Sequence, residues 1–141
     1  MAPTATTADA PEGDDAPQWL VVAVGTTRYG IPVDQVREVV RPGGLRPVPG
    51  APAQQAGIVN VRGAIVTVLD LAAVQTGLRA VAPGSIVLLQ YGARAIGLTV
   101  DVVHDVRAVE SGDAGSPEGI VPLDAVALCA RHLHSGEARE R

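Results

Sequence analysis

Lysine and phenylalanine are both absent from this 141-residue chain, and cysteine occurs only once. All 11 basic residues are therefore arginine. Without lysine the chain cannot form a Walker-A phosphate loop, a Schiff base or the nucleotide-anchoring site of a protein kinase. The single cysteine, Cys129, excludes an internal disulfide and favours a reducing compartment.

Aromatic residues and long apolar runs are also scarce. Trp19, Tyr29 and Tyr91 are the only aromatic side chains, and the net charge is −4. Proteins that bind nucleic acids need aromatic stacking surfaces or basic patches, so no nucleic-acid partner is expected. No apolar run approaches the roughly 18 residues of a membrane span, so no membrane insertion is expected and a cytoplasmic, bacterial location is predicted.

The composition predicts one folded domain between two tails. Residues 1–17 are rich in Ala, Pro, Thr and Asp, which predicts a disordered acidic tail. Residues 135–141 are interpreted in the same way, as a second disordered tail. Between them, residues 18–134 have the apolar content of a single domain with a buried core.

Short runs rich in β-branched residues, separated by Gly and Pro, predict a mostly β protein. The spacing of apolar residues in Asp34 to Val40 predicts one or two helical turns, and Arg41 to Ala53 is predicted to be a loop. A closing helix is expected over Asp124 to Leu133, with Asp124 as its N-cap. The predicted strands are Trp19 to Val24, Arg28 to Pro32, Ile58 to Val61, Ala64 to Leu71, Ser85 to Tyr91, Arg94 to Val103 and Ile120 to Leu123.

An internal repeat relates the two parts of the domain. At an offset of 67 residues, Leu20 to Val39 aligns with Val87 to Val106 without a gap and with 6 identities in 20 positions. The matches include Gly25 with Gly92 and Gly30 with Gly97. We therefore predict two similar halves, at about residues 18–84 and 85–134, each beginning with a hairpin and bending at a glycine.

The second half is shorter than the first. Val68-Leu69-Asp70 resembles Pro122-Leu123-Asp124 at an offset of 54, so the later part of the second half has lost 67 − 54 = 13 residues. In the first half the corresponding interval contains a whole strand. In the second half it contains only the loop Ser111 to Gly119.

Two segments resemble the chemotaxis coupling protein (CheW-like) family. The first is Tyr29-Gly30-Ile31-Pro32-Val33 followed by Val36-x-Glu38-Val39. The second, which is more specific, is Gly57-Ile58-Val59-Asn60-Val61-Arg62-Gly63 followed by an aliphatic run ending in Asp70-Leu71. The resemblance covers about Trp19 to Leu128.

The resemblance implies a fold of two pseudo-symmetric SH3-like β-barrel subdomains that exchange strands, with short helices at the ends of each half. It also implies a non-enzymatic adaptor with no cofactor. Such adaptors couple the cytoplasmic helical hairpin of a chemoreceptor to the regulatory domain of a histidine kinase, and are recruited to receptor arrays. The alternative is a divergent module that regulates one kinase or receptor outside motility.

The resemblance also implies a receptor-binding set, for which each residue has a structural alternative. Arg62 can make bidentate hydrogen bonds to a receptor helix, or it can pair with Glu38. Glu38 is expected on a short helix, and Asn60 can cap or turn the backbone. Aliphatic residues could line a groove or belong to the core. The implied receptor-binding set is Arg62, Glu38, Val36, Asn60, Gly57 and Val87.

The missing 13 residues predict an abbreviated second subdomain with an exposed strand edge near Asp105 to Glu110. In the family the second subdomain provides much of the kinase contact, so the kinase-facing edge is assigned to Asp105, Val106, Arg107 and Val109. Unpaired backbone groups on such an edge favour pairing with another chain. The edge could be covered by the loop, could form a homodimer, or could accept a strand from a partner.

No catalytic, cofactor or metal site is expected. Asp70 and Asp124 each precede a predicted helix, which favours a capping role over catalysis. His132 and His134 lack the further ligands that a zinc site requires, and His104 is expected at the surface. Cys129 on the closing helix is expected to be a small buried side chain.

Overall fold

The computed structural model describes residues 17–78, 83–108 and 119–140. Two helices and two short 3-10 turns, Val33–Gln35 and Pro42–Gly44, accompany nine strands in this part of the chain. The strands are β1 (Gln18–Val24), β2 (Thr27–Pro32), β3 (Val36–Val40), β4 (Gln55–Val61), β5 (Ala64–Asp70), β6 (Ser85–Tyr91), β7 (Arg94–Val100), β8 (Val102–Ala108) and β9 (Ile120–Pro122). The helices are α1 (Leu71–Thr76) and α2 (Ala125–Glu140).

The strands form two sheets that exchange strands. One sheet has five strands in the order β4-β5-β7-β6-β3, and the other has four in the order β9-β2-β1-β8. The hairpin β6–β7 thus pairs with β3, which follows the first hairpin, and the hairpin β1–β2 pairs with β8, which follows the second. The mostly β architecture with two subdomains agrees with the prediction.

The strand register confirms the internal repeat. In the five-stranded sheet Glu38 lies opposite Leu88, and in the four-stranded sheet Asp105 lies opposite Val21. These two pairs are related by the offset of 67 at both positions. Both pairings also contain a register shift next to the acidic residue, so even the irregularity of the strand is repeated.

The second offset is confirmed by the parallel strand pairs. Val68 of β5 lies opposite Gly97 of β7, and Pro122 of β9 lies opposite Gly30 of β2. The first residues of each pair differ by 54 and the second by 67. Strand β9 is therefore the counterpart of β5, and it has the same place in its own sheet.

The five-stranded sheet has one strand that the other sheet lacks within the described residues. Strand β4 pairs with β5 in the five-stranded sheet. No described strand occupies the corresponding position beside β9. The second subdomain is thus abbreviated, as predicted.

The prediction placed the edge opened by this loss near Asp105 to Glu110, and that location is wrong. Strand β8 is an outer strand, but so is its counterpart β3 in the complete sheet. The missing strand would lie next to β9, at the opposite edge of the sheet. Sequence length revealed that a strand was lost, whereas only the pairing order shows which neighbour lost its partner. Residues 109–118 lie outside the described residues.

A tryptophan covers the shortened subdomain at its glycine bend. The Trp19 ring lies directly over Gly30, so a β-carbon at Gly30 would overlap it. In the five-stranded sheet the counterpart of Trp19 is Ile86, which together with Val68 would come within 2.9 Å of a β-carbon at Gly97. A larger side chain thus stands at the position where one sheet has fewer strands.

The predicted helix over Asp34 to Val40 is wrong. The segment forms the 3-10 turn Val33–Gln35 and then strand β3. The register shift in β3 adds a residue between Val36 and Glu38, so the valines are spaced three apart, as in a helix. Pairing with β6 and the β-branched side chains favour the strand.

Both helices begin at an aspartate, as predicted. The Asp70 carboxylate accepts a hydrogen bond from the Ala73 N–H at 3.0 Å, and Asp124 accepts one from the Ala127 N–H at 3.1 Å. Helix α2 continues to Glu140 instead of ending at Leu133. The tail predicted for residues 135–141 therefore begins within a helix.

The main core lies between the two sheets and takes residues from both halves. It includes Ile31 of the first hairpin, Leu98 of the second and Leu71 of α1. Helix α2 adds Cys129, which is fully buried as predicted. Burial raises the pKa of the Cys129 thiol to about 12. A smaller cluster that includes Val59 and Leu88 fills the five-stranded subdomain.

Candidate functional site

The hairpin β4–β5 turns at Arg62 and Gly63, whose φ angles are +49° and +90°. Two successive residues with positive φ are typical of the type I′ turn, whose twist matches that of the strands. The Asn60 side-chain oxygen accepts a hydrogen bond from the Gly63 N–H at 2.9 Å. Asn60 thus stabilises the turn, as its structural alternative predicted, and the turn presents Arg62 at the surface.

Arg62 forms an ion pair with Glu38 that connects the two outer strands of the five-stranded sheet. Both guanidinium Nη atoms contact the carboxylate, and the distance from Nη1 to Oε1 is 3.3 Å. Because Glu38 lies on β3 and Arg62 follows β4, the pair brings the edges of the sheet together. The contact predicted as an alternative role for Arg62 is therefore present.

The ion pair is exposed and electrostatically coupled. The Arg62 side chain is 71% exposed and that of Glu38 is 30% exposed. The hydrogen bond from Arg62 lowers the pKa of Glu38, and the same bond raises the pKa of Arg62. Both groups therefore remain charged at neutral pH, and solvent screens their attraction.

A groove of about 450 Å³ opens beside this ion pair. Strand β3, the β4–β5 hairpin, the start of β7 and helix α2 all contribute to it. Its wall combines charged and aliphatic groups, an arrangement suited to a protein segment with both kinds of side chain. The lining residues are Arg37, Glu38, Val61, Arg62, Ala64, Ile65, Val66, Thr67, Leu88, Ala93, Arg94, Ala95, Ile96 and Leu133.

The aliphatic members of the predicted receptor set lie away from this groove. Val87 is fully buried in the main core, and Val36 is half-buried against that core. Gly57 is buried with a φ of +152°, and a β-carbon there would overlap the Arg46 carbonyl. The structure brings together Arg62, Glu38 and Asn60, and it gives Val87 and Gly57 structural surroundings.

The predicted kinase-facing residues lie on the outer strand β8. Asp105 and Val106 are exposed, and Arg107 contacts the Asp105 carboxylate at 3.3 Å. Val109 lies outside the described residues. Val102 and Val106 are about half exposed, at 46% and 52%, so this strand presents aliphatic side chains to solvent.

Sequence reasoning missed four residues that line the groove. Arg37 was noted only as the counterpart of His104, and Arg94, Ile65 and Leu133 were assigned no role. One signal was available for Ile65. Strand β5 alternates with Val66 and Val68 facing inward, which directs Ile65 outward, where it is 63% exposed.

Two further searches of the described residues found no candidates. None of the helices in residues 17–78, 83–108 and 119–140 is long and apolar enough to cross a membrane. The same residues contain no group of three or more His, Cys, Asp or Glu side chains placed to hold a metal ion.

The fold and the groove define a protein-binding module built from two strand-exchanged β subdomains. The model of the CheW-like domain matches residues 18–129. This chain therefore belongs to the CheW-like family. The resemblance inferred from the Gly57 to Gly63 block is confirmed.

Individual relatives agree with this assignment. The chain is 33% identical over 97 residues to the chemotaxis protein CheW of Rhizobium meliloti (strain 1021), covering 67% of this chain and 62% of the relative. It is 29% identical over 129 residues to the chemotaxis protein CheW of Treponema pallidum (strain Nichols), covering 86% and 72%. The match to the first of these relatives thus spans less than two thirds of that protein's length.

A solved structure has the same fold. The scaffolding protein TtCheW from Thermoanaerobacter tengcongensis superposes with a TM-score of 0.66 and 26% sequence identity. The match covers 78% of this chain and 71% of that one.

Proposed function

We propose that this chain is a non-enzymatic adaptor of chemotaxis-type signalling in the cytoplasm. In this role it binds the cytoplasmic helical hairpin of a chemoreceptor and the regulatory domain of a histidine kinase. The names of the relatives, chemotaxis protein and scaffolding protein, support this role. The observation that carries the proposal is the exposed Arg62–Glu38 pair beside the groove.

The two partners are assigned to different subdomains. The receptor hairpin is assigned to the complete five-stranded subdomain, whose Arg62 is held at the surface by the β4–β5 turn. The kinase regulatory domain is assigned to the four-stranded subdomain, at the exposed side chains of β8. Because this subdomain lacks a strand within the described residues, receptor binding should be tighter than kinase binding.

Titration of the purified protein against each partner tests the proposal. The probes are a soluble fragment of a chemoreceptor hairpin and an isolated kinase regulatory domain, with affinity measured by isothermal titration calorimetry. We expect a 1:1 complex with each, weaker for the kinase, and a ternary complex in sedimentation velocity. Failure to bind either partner would contradict the adaptor role.

A substitution links receptor binding to the site. Arg62→Glu places two carboxylates side by side, so receptor affinity should fall by about tenfold or more. The melting temperature should change little, because an exposed ion pair contributes little to stability. Arg41→Glu is the matched control, since Arg41 is exposed and does not line the groove. An Arg62→Glu protein that unfolds would show that the pair is structural.

A further inference from the structure

The groove carries a charge opposite to that of the whole chain. Three arginines line it, Arg37, Arg62 and Arg94, and Glu38 is the only carboxylate among its lining residues in the described part of the chain. The lining thus has a net charge of +2, whereas the complete sequence has −4. A positive groove on a negative protein concentrates anionic groups at that one surface.

Two of these arginines are available to a partner. Glu38 already neutralises Arg62, whereas Arg37 forms no ion pair or hydrogen bond within residues 17–78, 83–108 and 119–140. Arg94 lies over the Tyr91 ring, 5.8 Å from its centroid, and this contact leaves the edge of its guanidinium able to donate hydrogen bonds. Each guanidinium matches a carboxylate in shape and charge.

Aliphatic surface lies between these charges. Ile65 is 63% exposed, and Leu133 of α2 is half-buried at the groove wall. A volume of about 450 Å³ accommodates a few side chains but not a whole helix. A partner must therefore lie across the opening, insert aliphatic side chains and present carboxylates at the rim. An amphipathic helix does this with residues three or four positions apart.

We propose that Arg37 and Arg94 make this groove selective for an acidic amphipathic helix, in which carboxylates flank the inserted aliphatic side chains. The inference rests on the proposed function, because the helix is taken to be part of the receptor hairpin. It adds the chemical character of the contact surface. Arg37 and Arg94 act as specificity determinants, and the Arg62–Glu38 pair shapes the groove between them.

Charge reversal in the complete chain tests this inference. Arg37→Glu and Arg94→Glu should each weaken binding to the soluble receptor hairpin by about fivefold or more, since attraction is replaced by repulsion. Arg41→Glu makes the same change in net charge outside the groove and should weaken binding less than about twofold. Arg37→Gln and Arg94→Gln, checked by circular dichroism, provide milder versions if a reversal variant fails to fold.

A second probe tests the partner's charge. A hairpin with its exposed Asp and Glu residues changed to Asn and Gln should bind more weakly and should no longer distinguish Arg37→Glu from Arg41→Glu. The affinity of the unmodified pair should also fall between 0.1 M and 1 M salt, where the screening length shortens from about 10 Å to about 3 Å.

The outcomes separate the two proposals. Tight binding of the hairpin with equal effects of Arg37→Glu, Arg94→Glu and Arg41→Glu would overturn the acidic-helix inference and leave the adaptor role intact. Binding that is independent of salt would overturn it as well. Absence of hairpin binding by the unsubstituted protein would refute the adaptor role and the inference together.

Discussion

Trp19 compensates for the missing strand, and its removal should destabilise the whole domain. Its ring lies over Gly30 in the subdomain that has no described strand beside β9. Truncating a buried Phe or Trp to Ala costs about 3–5 kcal/mol. Because Trp19 is only partly buried, we expect Trp19→Ala to lower the free energy of unfolding by about 2–3 kcal/mol.

Urea unfolding followed by far-UV circular dichroism measures this change. Circular dichroism is preferred because Trp19 is the only tryptophan, and its fluorescence disappears in the variant. For a domain of this size we expect the melting temperature to fall by about 6–15 °C. Trp19→Phe keeps an aromatic ring over Gly30 and should recover a large part of the loss.

A double-mutant cycle tests the contact itself. Gly30→Ala adds a methyl group that overlaps the indole, and overpacking of this kind typically costs about 1–3 kcal/mol. In the Trp19→Ala background the methyl group has room, so the two changes should be non-additive by about 1 kcal/mol or more. Additive effects, or a loss below about 0.5 kcal/mol for Trp19→Ala, would refute the proposed contact.

Two further predictions concern the buried thiol and the β4–β5 turn. Because the pKa of Cys129 is raised to about 12 in the folded state from a usual value near 9, the unfolded thiol loses its proton first. The cysteine's contribution to stability should therefore be constant below about pH 9 and fall by up to about 1.4 kcal/mol per pH unit above it. Cys129→Ala should flatten this slope in unfolding curves from pH 8 to 11, and an unchanged slope would contradict the assignment. Asn60→Ala removes the hydrogen bond to Gly63 and should cost about 1 kcal/mol in urea unfolding, whereas Gln90→Ala, in the other hairpin, should leave the amide exchange of the β4–β5 turn unchanged. Equal exchange rates in the Asn60→Ala and unsubstituted proteins would show that the turn does not need this bond.

The internal repeat made much of the fold predictable. The glycines and valines of the repeat occupy equivalent positions in a pairing pattern, so aligning the chain with itself recovers the register of both sheets. Val68 opposite Gly97 and Pro122 opposite Gly30 follow directly from the two offsets. Helix starts were equally accessible, since Asp70 and Asp124 each make a local hydrogen bond to the helix that follows.

The errors concern features that depend on distant parts of the chain. The bulge in β3 produced the valine spacing of a helix, and only pairing with β6 makes the segment a strand. The groove is formed by residues from β3, β5, β7 and α2, so no local motif marks Arg37 or Arg94 as its members. The position of the open edge depends on strand order, which sequence length does not determine.

The exchange of β3 and β8 means that neither half of the domain contains a complete sheet. A polypeptide ending after α1 would keep β3 but lose β6, the strand with which β3 pairs. The remaining polypeptide would keep β8 but lose β1. The architecture is therefore that of a domain-swapped dimer whose two protomers have been joined into one chain. Two such fragments, expressed together, would have to fold as a complementing pair, because each one supplies an outer strand of the other's sheet.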